Sequence, residues 1–226
     1  MDQKQSKIEA MLLDPAFDYL QPYFYENPFA LRCELGQGEG EAFSRAARRR
    51  AEEIWRILFP RGADAVFFSQ WITDWADTGA PEAQQWDDPD AVLALRLRKE
   101  TEALRFLLEM QMRRRHAAVK GLKTYLEPED PDYEAVRRNR IVCWSDGRGF
   151  DDLALIERQL ADRENLEIGL VSFENECILS VYDDRGCDVV FADAAHLRAF
   201  YDRLRPYFLD YDLAEMERRR ERTDEC

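Results

Sequence analysis

Tyr182-Asp183-Asp184-Arg185-Gly186-Cys187-Asp188-Val189-Val190-Phe191 decides the fold. Apolar runs of strand length lie on both sides of Asp183–Gly186, and this pattern predicts a tight β-hairpin. An aspartate at such a turn bonds its own backbone, and Arg185 stands ready to pair with an acid. Gly186 is expected to supply a positive φ. Upstream, residues 167–173 form a further strand and a tight turn is centred near Asn175. Residues 177–182 and 187–192 then complete a three-stranded antiparallel meander. Asp193 caps a helix reaching about residue 204, with Leu197, Phe200, Tyr201 and Leu204 on one face. Pro206 stops it, and Leu209-Asp210-Tyr211-Asp212 leads into a short charged helix containing Arg218-Arg219-Arg220.

Towards the N-terminus, Ile8, Met11, Leu12 and Phe17 fall near helical spacing. Pro22 and Pro28 enclose an aromatic loop, Tyr23-Phe24-Tyr25. Residues 29–35 alternate as a strand, with Leu31, Cys33 and Leu35 on one face and Arg32 and Glu34 on the other. Gly36, Gly38 and Gly40 break the chain before an amphipathic helix over 41–59 that carries Phe43, Ala47, Ile54 and Leu58. Pro60 ends it, and a strand follows over 65–72. Residues 73–90 read as a loop rich in Asp, Gly and Pro. Asp88-Pro89 opens a helical stretch predicted to reach about residue 126, on the stripe Leu97, Leu104, Leu107, Leu108 and Met112. Within it, 93–98 partly alternates with period two and also fits a strand. After the acidic connector 127–131, a short helix is expected at 133–139, a strand at 141–144 and an amphipathic helix at 150–164. The whole is α+β: an antiparallel or mixed sheet with the C-terminal meander and helices packed on one side. It is expected as a single domain over 1–226, with an internal boundary near 127–132.

Composition bounds the function. At 226 residues, 46% hydrophobic and 12% aromatic, the chain can bury a full core. A net charge of −14 repels phosphate backbones and anionic lipid, so neither nucleic acid nor membrane is the expected partner. A cationic partner is favoured instead, although acidity also serves solubility alone. The five cysteines, Cys33, Cys143, Cys177, Cys187 and Cys226, show no close ligand spacing and read as buried thiols of a reducing compartment. Two histidines, His116 and His196, exclude a His-rich metal site. Residues 1–14 have no signal-peptide core, and no apolar run nears the ~18 residues of a membrane span. The expected location is cytoplasmic.

Several clusters have a chemical reading beside a plain one. Asp183, Asp184 and Asp188 are carboxylates gathered at a turn. Such oxygens can hold Mg²⁺ or Ca²⁺ and support metal-assisted hydrolysis; turn scaffolding is the simpler account, and the alternating calcium-loop pattern is absent. Gly36, Gly38 and Gly40 lie where a phosphate loop would, but their spacing and the flanking Glu34, Glu39 and Glu41 disfavour one. Ser145-Asp146-Gly147-Arg148-Gly149 offers a Ser and an Arg ahead of a helix, yet reads as a turn. There is no G-x-S-x-G elbow, and no Ser/His/Asp or Cys/His set is apparent. The arginine runs 48–50, 113–115 and 218–220 read as solvated, self-neutralising faces. Trp71, Trp75, Trp86 and Tyr23–Tyr25 are core aromatics or interface anchors.

One resemblance stands on residues 182–189, Leu197-Arg198 and Leu209-Asp210-Tyr211-Asp212. In that order they resemble an uncharacterised bacterial group, domain of unknown function 3885. There a "YDDRG-x-DV" turn precedes a helix and an "LDYD" segment. The likeness is strongest over 167–213 and weaker over 31–36 and up to residue 68. None is claimed for 73–133. The resemblance implies no catalytic residue and no cofactor. Small acidic proteins of this kind accompany bacterial toxins as immunity proteins. The expectation is therefore a non-enzymatic acidic binding protein, an immunity protein neutralising a basic toxin. Asp183, Asp184, Arg185, Asp188, Trp75 and Trp86 are its candidate binding surface. A metal-dependent hydrolase on Asp183, Asp184 and Asp188 is one alternative; a structural or regulatory module is another.

Overall fold

The computed structural model describes residues 6–14, 17, 23–74, 114–124, 137–147, 150–161 and 167–221. The elements in chain order are α1 (Lys7–Leu13), α2 (Tyr23–Glu26), β1 (Ala30–Glu34), α3 (Glu41–Leu58), β2 (Ala65–Asp74), β3 (Arg114–Thr124) and β4 (Arg137–Asp146). They continue with α4 (Asp152–Leu160), β5 (Glu167–Ser172), β6 (Cys177–Asp183), β7 (Gly186–Phe191), α5 (Ala194–Leu204), a 3-10 turn at Asp210–Asp212 and α6 (Leu213–Glu221). The chain divides into two compact units, Met1–Phe67 with Gly147–Cys226, and Phe68–Asp146.

The first unit is built on the predicted meander. Its strands lie in the order β1-β7-β6-β5-β2, and β5/β6, β6/β7 and β1/β7 pair antiparallel. The fold is α+β, as the alternation of 167–192 implies. Successive side chains of a strand point to opposite faces, so the register sorts the core. Ile168, Leu170, Leu179 and Val181 meet Leu155 and Ile156 of α4. On the same face Phe191 stacks on Phe200 of α5 with ring centroids 5.6 Å apart. Burying an aliphatic side chain of this size contributes about 1.5–3 kcal/mol.

The opposite face carries a polar row, one residue per strand: Arg32 on β1, Asp188 on β7, Ser180 on β6 and Gly169 on β5. Gly169 lacks a side chain because the ring of Phe67 occupies that space, 2.1 Å from where a Cβ would stand. The segment expected as an aromatic loop is the short helix α2, and its Tyr23 and Phe24 are buried. Near β1, Met216 of α6 accepts the Arg32 N–H through sulfur at 3.3 Å.

The second unit departs from the helical expectation over 114–124 and at 137–139; the rest of both predicted helices lies outside the described residues. β3 and β4 are an antiparallel pair with Ala118 opposite Val142 and Val119 opposite Ile141. The apolar stripe that argues for a helix ends at Met112. Beyond it His116, Val119, Gly121 and Thr124 weaken a helix, while Ile141-Val142-Cys143-Trp144 offers a strong strand to pair with. A register shift between Lys120 and Lys123 brackets Gly121, where a missing side chain eases a bulge.

Candidate functional site

The hairpin acids do separate jobs. Asp183 Oδ1 accepts the Arg185 N–H at 2.8 Å, and its Oδ2 accepts Arg185 Nε at 2.8 Å and Nη2 as well. The turn is thus closed by its own side chains. Gly186 is not in the left-handed region, contrary to the sequence expectation. It is required for close approach: a Cβ there would lie 2.1 Å from the Tyr182 hydroxyl and 2.9 Å from the Cys33 carbonyl. Asp184 is half-exposed at the tip.

Asp188 is fully buried. Its Oδ2 accepts the Phe24 N–H at 3.1 Å, and its Oδ1 lies 3.9 Å from Arg32 Nε. That Oδ1 has no hydrogen-bond partner among the described residues. Burial pushes the Asp188 carboxyl up to about 6; the Phe24 N–H and Arg32 pull it down, and the charge of Asp212 pushes it further up.

Arg32 is the hub. Its Nε donates to the Tyr182 hydroxyl at 3.2 Å, its Nη1 donates to the Tyr25 hydroxyl at 2.8 Å, and the same Nη1 is 3.6 Å from Asp212 Oδ2. The guanidinium also lies over the Tyr25 and Tyr182 rings, 5.2 and 5.5 Å from their centroids. Desolvation works against this cation, but Tyr182 and Asp188 outweigh it and hold the Arg32 pKa above its ordinary value. Burial and the neighbouring Asp188 push the Tyr182 phenol up as well. Both groups keep their neutral-pH charge states.

Beside this hub runs a groove of about 600 Å³. β1 supplies Arg32 and Glu34, the following loop Gly36, α3 Phe43, the hairpin Tyr182, Asp183 and Arg185, and the C-terminal segment Leu209. It combines aromatic walls with guanidinium and carboxylate groups, a lining that binds through stacking and charge-assisted hydrogen bonds. Among the described residues no three His, Cys, Asp or Glu side chains gather as metal ligands would. Asp183 and Arg185 line the groove; Asp188 lies behind it under α2. Trp75 and Trp86 lie outside the described residues.

Two arginines that read as solvated are buried. Arg50 Nε donates to the Glu34 carbonyl at 2.8 Å, and Arg219 Nη1 donates to the carbonyls of Phe24 at 2.6 Å and Asn27 at 2.8 Å. Helical phase is the available signal, since Arg50 shares a face with Ala47 and Ile54, and Arg219 follows Met216 by three. Sequence reasoning also misses Arg32 and Asp212 as site residues, and it leaves Tyr25 between core and interface. The clue is Asp188 itself, an acid inside an apolar strand that needs a cation from elsewhere.

Residues 10–212 match the model of a family described as Domain of unknown function (DUF3885). The chain belongs to the DUF3885 family. No curated protein and no solved structure matches it. The match includes residues 73–133 of this DUF3885 protein, where the motifs show no likeness, and it ends on Asp212, the carboxylate beside Arg32. Among the described residues no helix of this DUF3885 chain is long and apolar enough to cross a membrane.

Proposed function

We propose that this DUF3885 protein is a non-enzymatic acidic binding protein that captures a cationic protein, as an immunity protein captures a basic bacterial toxin. The observation that carries the reading is the use made of the hairpin acids. Asp183 is bound to its own Arg185 and Asp188 is sealed beneath α2. The turn therefore serves as scaffold for the groove wall, not as a gathered set of reactive carboxylates. A net charge of −14 supplies the long-range attraction, and the aromatic and carboxylate groups of the groove supply short-range contacts. The same charge disfavours nucleic acid and anionic membrane as partners.

Affinity capture from the native host, followed by on-rates for the captured protein, tests this. The partner is expected to be basic, and association should slow at least about tenfold between 50 and 300 mM salt. A rate indifferent to salt would overturn the reading. The competing hydrolase reading needs Asp183, Asp184 and Asp188 to share an ion. Calorimetric titration with Mg²⁺, Mn²⁺ and Ca²⁺ at millimolar concentration decides it: heat lost in the Asp188→Asn variant would favour that chemistry, and no heat would end it.

A further inference from the structure

Among the described residues, the large apolar side chains most open to solvent are Tyr211, 87% exposed, and Tyr25, 54% exposed. They come from opposite ends of the chain, and Arg32 reaches Tyr25 itself and the residue next to Tyr211. Arg32 Nη1 donates to the Tyr25 hydroxyl at 2.8 Å and lies 3.6 Å from Asp212, the neighbour of Tyr211. Tyr25, held this way, loses little conformational freedom when a partner arrives.

The charge around these rings has a sign. The Arg32 side chain is only 16% exposed and faces two carboxylates, Asp188 and Asp212. Its positive charge is therefore matched twice over. The exposed cations of the neighbouring elements are engaged too: Arg185 with Asp183, Arg218 with Glu215 and Arg220 with Asp202. Among the described residues, Glu26 and Asp210 are exposed acids for which no such pairing is seen. Independently of these exposed acids, Asp212 Oδ2 is buried and has no hydrogen-bond partner among the described residues. Its side chain is 7% exposed and it is directed at the guanidinium that holds Tyr25.

We propose that Tyr25, Asp210 and Tyr211, organised around Arg32, form the docking surface for a lysine- and arginine-bearing segment of a protein partner. Tyrosine faces attract such cations, the Asp210 carboxylate gives charge-assisted bonds, and tyrosines are frequent hot spots. This rests on the capture reading above and adds to the groove a second contact surface, the two sharing Arg32.

The test titrates labelled octa-arginine and octa-glutamate into the full-length protein and reads fluorescence anisotropy. Octa-arginine is expected to bind. Tyr211→Ala and Asp210→Asn should each weaken it at least about fivefold. Glu41→Gln, which removes a carboxylate 92% exposed on α3, should weaken it less than about twofold. Tyr211 and Asp210 are exposed, so both variants are expected to fold, with unchanged circular dichroism. If they bind octa-arginine like the parent, the surface assignment falls and the capture reading stands. If octa-arginine does not bind the parent at low salt, the capture reading falls with it. Octa-glutamate binding would give the surface to an acidic partner. A dimer that Tyr211→Ala dissociates in sedimentation would give it to a second copy. Either result overturns the proposal.

Discussion

Asp188 shows how one residue couples a strand to a helix and to a distant cation. A carboxylate excluded from water is costly unless partners replace the lost hydration. Here one oxygen has the Phe24 N–H and the other faces an arginine at 3.9 Å. The folded pKa, about 6, lies above the ordinary 3.8. A raised carboxyl contributes stability that is complete below the unfolded value and is lost as pH climbs through the folded one. Between pH 7.5 and 4, the parent should therefore gain up to about 3 kcal/mol relative to Asp188→Asn. Urea denaturation of both proteins across that range measures it, and parallel pH curves would refute the assignment. Asp188 is legible as an anomaly, an acid in Cys187-Asp188-Val189-Val190-Phe191. Its partner is not, because Arg32 lies in another strand far away in sequence and looks like an ordinary outward residue.

At the scale of elements, turns and caps are legible because their chemistry is local. Asp193 stands before an apolar stripe, where a cap belongs, and it accepts the His196 N–H at 2.9 Å. It also takes the His196 ring at 2.7 Å and the Lys7 ammonium at 2.6 Å, the latter from the other end of the chain. Burial raises the Asp193 carboxyl, but the Lys7 and His196 bonds prevail and hold it well below its ordinary value. Among the described residues the Asp151 side chain caps α4 through the Ala154 N–H alone, at 3.1 Å. Asp193→Ala should thus lower stability by about 1–2 kcal/mol and Asp151→Ala by about 0.5–1 kcal/mol. Equal losses in chemical denaturation would contradict the extra bonds. Gly186→Ala is expected to cost about 1–3 kcal/mol by overpacking, since its Cβ would displace the Tyr182 hydroxyl. It should also shift the Tyr182 ring resonances; an unperturbed ring would argue against the close approach. Local chemistry misleads where two states compete. The 114–124 segment mixes helix formers such as Ala117, Ala118 and Leu122 with residues that weaken a helix, and its pairing with β4 decides for a strand. Pairing of that kind is non-local and leaves no mark inside the segment.

Across the whole molecule a surplus of negative charge prevails, −14 on 226 residues. Self-repulsion of that size opposes compaction, and mobile ions screen it. Raising NaCl from 20 to 200 mM should lift the melting midpoint by roughly 1–3 °C. A falling midpoint would mean that attractive surface pairs such as Arg61 with Glu174 outweigh the repulsion. One register in the sheet also has a practical outcome. Cys33 and Cys187 sit directly opposite each other on β1 and β7, and both are buried. Cys187 is held far above a normal thiol pKa by its Cys33 contact and by burial, and Cys177 is raised mainly by burial. Alkylating reagents attack the ionised sulfur. The labelling of Cys177 and Cys187 should then follow opening of the meander, with half-times that lengthen in step with measured stability, so these sulfurs become a chemical clock for unfolding.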